Sequence, residues 1–116
     1  MTDFQRDMEI ITQNVKVVNN GKLRFSFRHL NRIVQDSVKE LELKQRTENV
    51  LMRNGIMTVG DLFKNLSKVK NLRGGGEVTA KNVNTMFMSY YYDSLNDAER
   101  NEFWTDMYEN TFTMAM

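Results

Sequence analysis

Three consecutive glycines, Gly74-Gly75-Gly76, running straight into Glu77-Val78-Thr79-Ala80-Lys81, are the residues of this 116-residue chain whose types and spacing best suit binding chemistry. Glycine adopts left-handed dihedrals without strain and lets a backbone come close to a ligand. A helix starting at about Glu77 would aim its unpaired N–H groups, and the positive end of its dipole, at whatever lies in front of the turn. Phosphate is the guest that such an end accepts. Gly74 and Gly76 with Ala80 and then Val83 also fit the pattern of a helix-hairpin-helix, in which the small Ala80 allows two helices to pack closely. The same residues equally make a tight turn with no ligand, and at this level both readings stand. A Walker A loop would need Lys and Ser or Thr after the last glycine, where this chain has Glu77-Val78. A dinucleotide-binding turn would need a preceding strand, which the flanking helical pattern denies.

Other chemistry is thinly supplied. With no cysteine and a single histidine, His29, disulfides, thiol chemistry and His-rich metal sites are excluded, and no metal or cofactor is expected. No Ser/His/Asp set or nucleophile elbow occurs, and Glu99 with Glu102 beside Arg100 reads as an ordinary acidic helix face, so an enzyme is not expected. A hydrophobic fraction of 41% with 27% charged residues is that of a globular chain. No apolar run is long enough to span a bilayer, and Asp3, Asp7 and Glu9 lie where a signal peptide would be basic or apolar, so the expected location is cytoplasmic. The net charge of +1 hides an asymmetry: +1 over residues 1–43, +5 over 44–92 and −5 over 93–116. A cationic middle suits an anionic partner, or the acidic end of the same molecule.

The elements that would position these residues follow from periodicity. Phe4, Met8 and Ile11 predict a short amphipathic helix over 3–14. Alternation of Leu23, Phe25 and Phe27 with Arg24, Ser26 and Arg28 predicts a strand, paired through an Asn19-Asn20-Gly21 loop with Val15-Lys16-Val17-Val18 as a β-hairpin. Leu30, Ile33, Val34 and Val38 follow a helical period. A second helical stretch through Val50 and Leu51 stops at Asn54-Gly55, and Thr58 caps a short helix carrying Leu62, Phe63 and Leu66. Ser67 opens a turn or brief helix before the glycines. The helix from Glu77 presents Ala80, Val83, Met86 and Phe87 and ends near Tyr90-Tyr91-Tyr92, which read as core and rim rather than as a base-stacking platform. Asn96 with Glu99 has the form of a capping box for a last helix carrying Phe103, Trp104, Met107 and Tyr108.

Residues 38–62 carry the strongest family signal. Leu41 and Leu43, then Arg46, Asn49 and Leu51, then Ile56, Thr58, Val59, Asp61 and Leu62, and later Asn71-Leu72 with Gly76, Thr79 and Val83, stand in the order and spacing of one family. The stretch from about 37 to 88 resembles the C-terminal domain of the bacterial RNA polymerase alpha subunit. The resemblance implies a mainly α fold, a compact bundle of short helices with a helix-hairpin-helix, which binds A/T-rich DNA in the minor groove and touches transcription factors. On this basis Arg46 matches the arginine that enters the minor groove and Asn49 the asparagine beside it. Gly76 and Thr79 match the hairpin glycine and hydroxyl residue that meet phosphate.

The sequence departs from that family at informative places. Glu77 and Val78 stand where basic residues commonly follow the hairpin glycine, and Met52 stands at another commonly basic position. Gly74 and Gly75 lengthen the hairpin, and Arg73 before them could replace some of the lost charge. Each phosphate contact removed flattens the salt dependence of binding by about 0.9. The alpha-subunit assembly part is missing from this sequence, so a free-standing relative is expected. Three regions are predicted: an extension of helix and β-hairpin over 1–36, the alpha-like helical domain over 37–92, and an acidic C-terminal helix over 93–116. The expected DNA-binding set is Arg46, Asn49, Arg73, Gly74, Gly75, Gly76, Thr79 and Lys81, with DNA as partner and RNA polymerase or a transcription factor as a second one. The alternative is a protein–protein interaction module that keeps the fold and has lost DNA binding.

Overall fold

The structure, a computed structural model, describes the backbone of residues 2–14 and 24–113 and the side chains of 2–11 and 24–109. Five α-helices occur among these residues: α1 (Asp3–Asn14), α2 (Gln45–Arg53), α3 (Val59–Lys64), α4 (Glu77–Asp93) and α5 (Asp97–Thr113). Short 3-10 segments lie at Leu30–Arg32, Val38–Leu41 and Leu66–Asn71. The protein divides into two units, one formed by residues 1–29 with 92–116 and the other by Leu30–Tyr91.

In the Leu30–Tyr91 unit the core is aliphatic, built from Ile33, Val38, Leu41, Val50, Leu51, Ile56, Val59, Leu62, Val69 and Val83 with Phe87 and Tyr91. The helix starts and stops follow local sequence chemistry. Thr58 accepts from the Asp61 amide at 3.1 Å while Asp61 accepts from the Thr58 amide at 3.3 Å, a capping box that starts α3. These backbone and hydroxyl donors hold the Asp61 carboxyl below its ordinary range. α2 stops at Asn54, and Gly55 takes a positive φ of 78°, which glycine adopts without strain.

Two expectations change here. The helical period of Leu30, Ile33, Val34 and Val38 yields only two brief 3-10 segments. The reason lies in the backbone: the amides of Val59 and Gly60 donate to the carbonyls of Asp36 (2.8 Å) and Val34 (3.0 Å), and Val38 donates to Met57 at 2.9 Å. Groups that would close a continuous helix are paired with the start of α3 instead. The second change is at the glycines, where the preceding element is a six-residue 3-10 segment, Leu66–Asn71, rather than an α-helix. The expected α-helix pair flanking the turn is therefore a 3-10 segment and α4.

The unit of residues 1–29 and 92–116 is held by aromatic rings. Phe4 stacks on Trp104 (interplanar angle 11°) and Phe25 on Phe103 (8°), with Tyr92 edge-on to Phe4 and Phe103. The predicted β-hairpin does not survive this. Its first strand (15–18), its loop (19–21) and the first two residues of its second strand lie outside the described residues, and Arg24–Phe27 forms no ladder; the only bridge among the described residues joins Ser37 to Thr58. Phe25 finds its apolar surroundings against helix-borne rings, so its burial needs no cross-strand neighbour. The Asn96–Glu99 capping box opens α5 as expected, with reciprocal bonds of 3.0 and 2.8 Å.

Candidate nucleic-acid interface

α2 turns Thr47, Val50 and Leu51 into the core, which leaves Gln45, Arg46, Asn49 and Arg53 on the opposite, exposed face. Positions i, i+3 and i+7 share one side of a helix, so Arg46, Asn49 and Arg53 form a single row. Both ends of this helix are tied within the unit. The Lys44 amide, just before α2, donates to Asn82 Oδ1 of α4 at 3.3 Å. At the other end Asn54 Nδ2 donates to the Val50 carbonyl (2.7 Å) and to the Arg73 carbonyl (3.3 Å), joining the helix to the glycine turn.

That second tie brings Gly74 beside the row. Gly74 has φ +83°, and a Cβ built there would lie 3.5 Å from Val50 Cγ2. The result is an open depression of about 400 Å³ lined by Gln45, Arg46, Asn49, Val50, Arg53 and Gly74. Gln45 Nε2 donates to Asn49 Oδ1 at 3.0 Å. With its oxygen so engaged, Asn49 presents its amide nitrogen as a donor. Among the described residues no carboxylate forms an ion pair with Arg46, Arg53, Arg73 or Lys81. The depression therefore offers hydrogen-bond donors and positive charge over a small apolar floor, Val50.

Of the expected site residues, Arg46, Asn49 and Gly74 share this lining, while Arg73, Gly75, Gly76, Thr79 and Lys81 do not. Gly75 is a packing glycine: a Cβ there would sit 2.6 Å from the Val69 carbonyl oxygen and 3.0 Å from that of Leu72. Gly76 is open, with nothing within 4 Å of such a Cβ. Thr79 is 8% exposed and stands in the first turn of α4, where its backbone N–H has no intrahelical acceptor. Arg73 and Lys81 are exposed. Val78, in the same first turn, is 77% exposed. Arg53 is not in the expected set; its seven-residue spacing from Arg46 is the signal that places it there.

No group of three or more His, Asp or Glu side chains among the described residues is arranged to hold a metal ion, and no helix among them is long and apolar enough to cross a membrane. Comparison with curated proteins and with solved structures returns no match. A family model does match: that of the C-terminal domain of the bacterial RNA polymerase alpha chain, over residues 24–86, a span that contains α2, α3, the glycine turn and most of α4. With more than half of its length matched, this protein belongs to the bacterial RNA polymerase alpha C-terminal domain family.

Proposed function

We propose that the protein is a non-enzymatic, transcription-related DNA-binding module that lays the α2 face and the glycine turn on the minor groove of A/T-rich duplex. The family is one of non-catalytic, DNA-binding transcription domains. The observation that carries the finer reading is the depression that joins Arg46, Asn49 and Arg53 to Gly74. A/T pairs present only acceptors in the minor groove, adenine N3 and thymine O2, and this face presents donors. Narrow A/T grooves also concentrate negative potential, which draws in guanidinium groups.

In this reading Arg46 enters the groove and Asn49 donates to a base edge or sugar. The amides of Gly74, Gly76 and Thr79 meet backbone phosphate, and Arg73 and Lys81 supply charge beside it; the Gly75 amide donates to the Leu72 carbonyl at 2.8 Å, so Gly75 serves by shaping the turn. Glu77 in the first turn of α4 interacts favourably with the helix dipole and so weakens that end as a phosphate site. Binding of weak to moderate strength, with a shallow salt dependence, is the consequence. RNA polymerase or a transcription factor is the protein partner that the family supplies.

One observation favours a second reading, a protein-interaction module. An exposed valine, Val78, occupies the leading turn of α4 where a phosphate contact would want a donor or a cation. Fluorescence anisotropy with A/T-rich and G/C-rich duplexes at about 50 and 200 mM salt separates the two. The DNA reading expects salt-sensitive binding that prefers A/T, reduced about tenfold by Arg46→Ala. An unchanged affinity in that variant overturns the site, and no salt-sensitive binding at all leaves the interaction module.

A further inference from the structure

Arg53 lies within the matched span but is not among the motif residues that point to DNA. It lies seven residues after Arg46 on the exposed face of α2, and it lines the same depression. Two turns of helix carry it about 10.5 Å along the axis from Arg46. With α2 laid along the duplex, whose rise is about 3.4 Å of axis per base pair, that separation corresponds to about three base pairs. Asn49, between the two, has its oxygen bonded to Gln45 and its amide nitrogen available as a donor. The row thus reads guanidinium, amide donor, guanidinium over the length of a short tract.

The rest of the footprint is short of cations where α4 begins, since Glu77 and Val78 occupy its first turn, and Met52 precedes Arg53. We infer that Arg53 is a second minor-groove arginine, and that the preferred target is therefore an uninterrupted A/T tract of about three or more base pairs. This rests on the DNA reading above and adds to it a specificity-determining residue and a tract length. A G/C pair inside the tract would place the guanine amino group, a donor, against one of the two guanidiniums or the Asn49 amide. A tract shorter than the row leaves one arginine over a wider, less negative groove.

A purely structural role for Arg53 is available, because a cation in the last turn of a helix interacts favourably with its dipole. Arg53→Lys keeps that interaction and loses the planar guanidinium, so it separates the two roles. The experiment measures affinities of the full-length protein for duplexes with central A/T tracts of graded length, from none to several pairs, in constant G/C flanks, at two salt concentrations. Four proteins are compared: the unsubstituted protein, Arg53→Ala, Arg53→Lys and, as a control for loss of one exposed charge away from the depression, Lys39→Ala. Circular dichroism checks that each variant is folded.

The unsubstituted protein is expected to gain affinity steeply as the tract grows to about three pairs and little thereafter. Arg53→Ala should bind the long tracts about tenfold more weakly, with a salt slope flatter by about 0.9 and the tract-length step lost. Arg53→Lys should retain the slope and lose the step. If both Arg53 variants behave like Lys39→Ala while the unsubstituted protein still prefers A/T, the inference about Arg53 is overturned and the DNA reading stands. If the unsubstituted protein shows no salt-sensitive binding, the DNA reading and the inference fall together.

Discussion

Carboxylates of α5 meet basic side chains from their own unit: Asp106, 7% exposed, accepts from Arg28 Nε and its terminal nitrogen at 2.6 and 2.8 Å, and Glu102 and Glu99 lie 3.2 and 3.4 Å from His29 Nε2. In the same unit Arg100 stacks over the Tyr92 ring at 4.4 Å and pairs with Asp3 at 3.2 Å. The Leu30–Tyr91 unit treats its charge differently. It holds 10 basic and 6 acidic residues, and the arginines of its α2 row have no ion-pair partner among the described residues. Residues 1–29 with 92–116 hold 6 basic and 9 acidic. Acidic side chains of the one hold its own segments together, whereas Arg46 and Arg53 of the other line an open depression without an ion-pair partner among the described residues. A net charge near zero is thus no guide to whether this protein has a polyanion-binding surface.

The largest expected effect comes from removing a ring of the aromatic unit. Phe103→Ala deletes the partner of Phe25, Phe4, Tyr92 and Trp104, and should cost about 3–5 kcal/mol in denaturant unfolding followed by the fluorescence of Trp104, the single tryptophan. A loss below about 1 kcal/mol would mean that these rings do not form a core.

High pH tests both units through tyrosines. Burial first, then the hydrogen bond to Asp7, pushes the Tyr92 hydroxyl from 10.0 up to about 12. Burial, then the bond to Asp36, does the same for Tyr90. A phenol whose folded value is raised stabilises fully below its unfolded value, so stability is complete below pH 10 and is lost as pH rises from there through about 12. Tyr92→Phe should remove the part of this loss reported by Trp104, whose Nε1 donates to the Tyr92 hydroxyl at 2.8 Å, and leave the part due to Tyr90. An alkaline profile of the Trp104 signal that Tyr92→Phe does not alter would contradict the assignment.

Gly75→Ala should destabilise the cationic unit by about 2 kcal/mol, because the new methyl meets two backbone carbonyls that cannot turn aside. Gly76→Ala, with open space at the same distance, should cost much less, and equal losses in thermal melts would contradict the distinction. The smallest change sharpens the comparison of charge. Glu77→Lys at the start of α4 should raise duplex affinity by about fivefold and steepen the salt slope by about 0.9, read by anisotropy. No change in slope would place α4's leading end away from the phosphates.

Much of this is legible in the residues. Asn54-Gly55, Thr58 with Asp61, and Asn96 with Glu99 are signals that act within a few residues, and each fixes a helix end where expected. The order of Arg46, Asn49, Thr58 and Asp61 points to the family that the match over 24–86 establishes. What is not legible depends on long-range partners. Phe25 alternates as a strand residue would, yet its neighbours are rings from the two ends of the sequence. Leu30, Ile33, Val34 and Val38 have a helical period, yet the carbonyls of Val34 and of Asp36 within that stretch accept from the start of α3. The meeting of His29 with Glu99 and Glu102 leaves no local signal, because the carboxylates lie far along the sequence, 73 residues away for Glu102. No motif includes Arg53; its seven-residue spacing from Arg46 puts both on one side of α2, but only the tie from Asn54 to the Arg73 carbonyl, which brings the glycine turn against α2, shows what that side meets.

The most direct test of the proposed interface is a titration of the isotope-labelled protein with an A/T-rich duplex, followed by amide and arginine side-chain NMR. Shifts should concentrate at residues 45–53 and 73–79, include the Arg46 and Arg53 side chains, and reverse when a small minor-groove ligand is added in excess. Shifts centred on α5, or shifts at α2 that persist when the minor groove is filled, would contradict it.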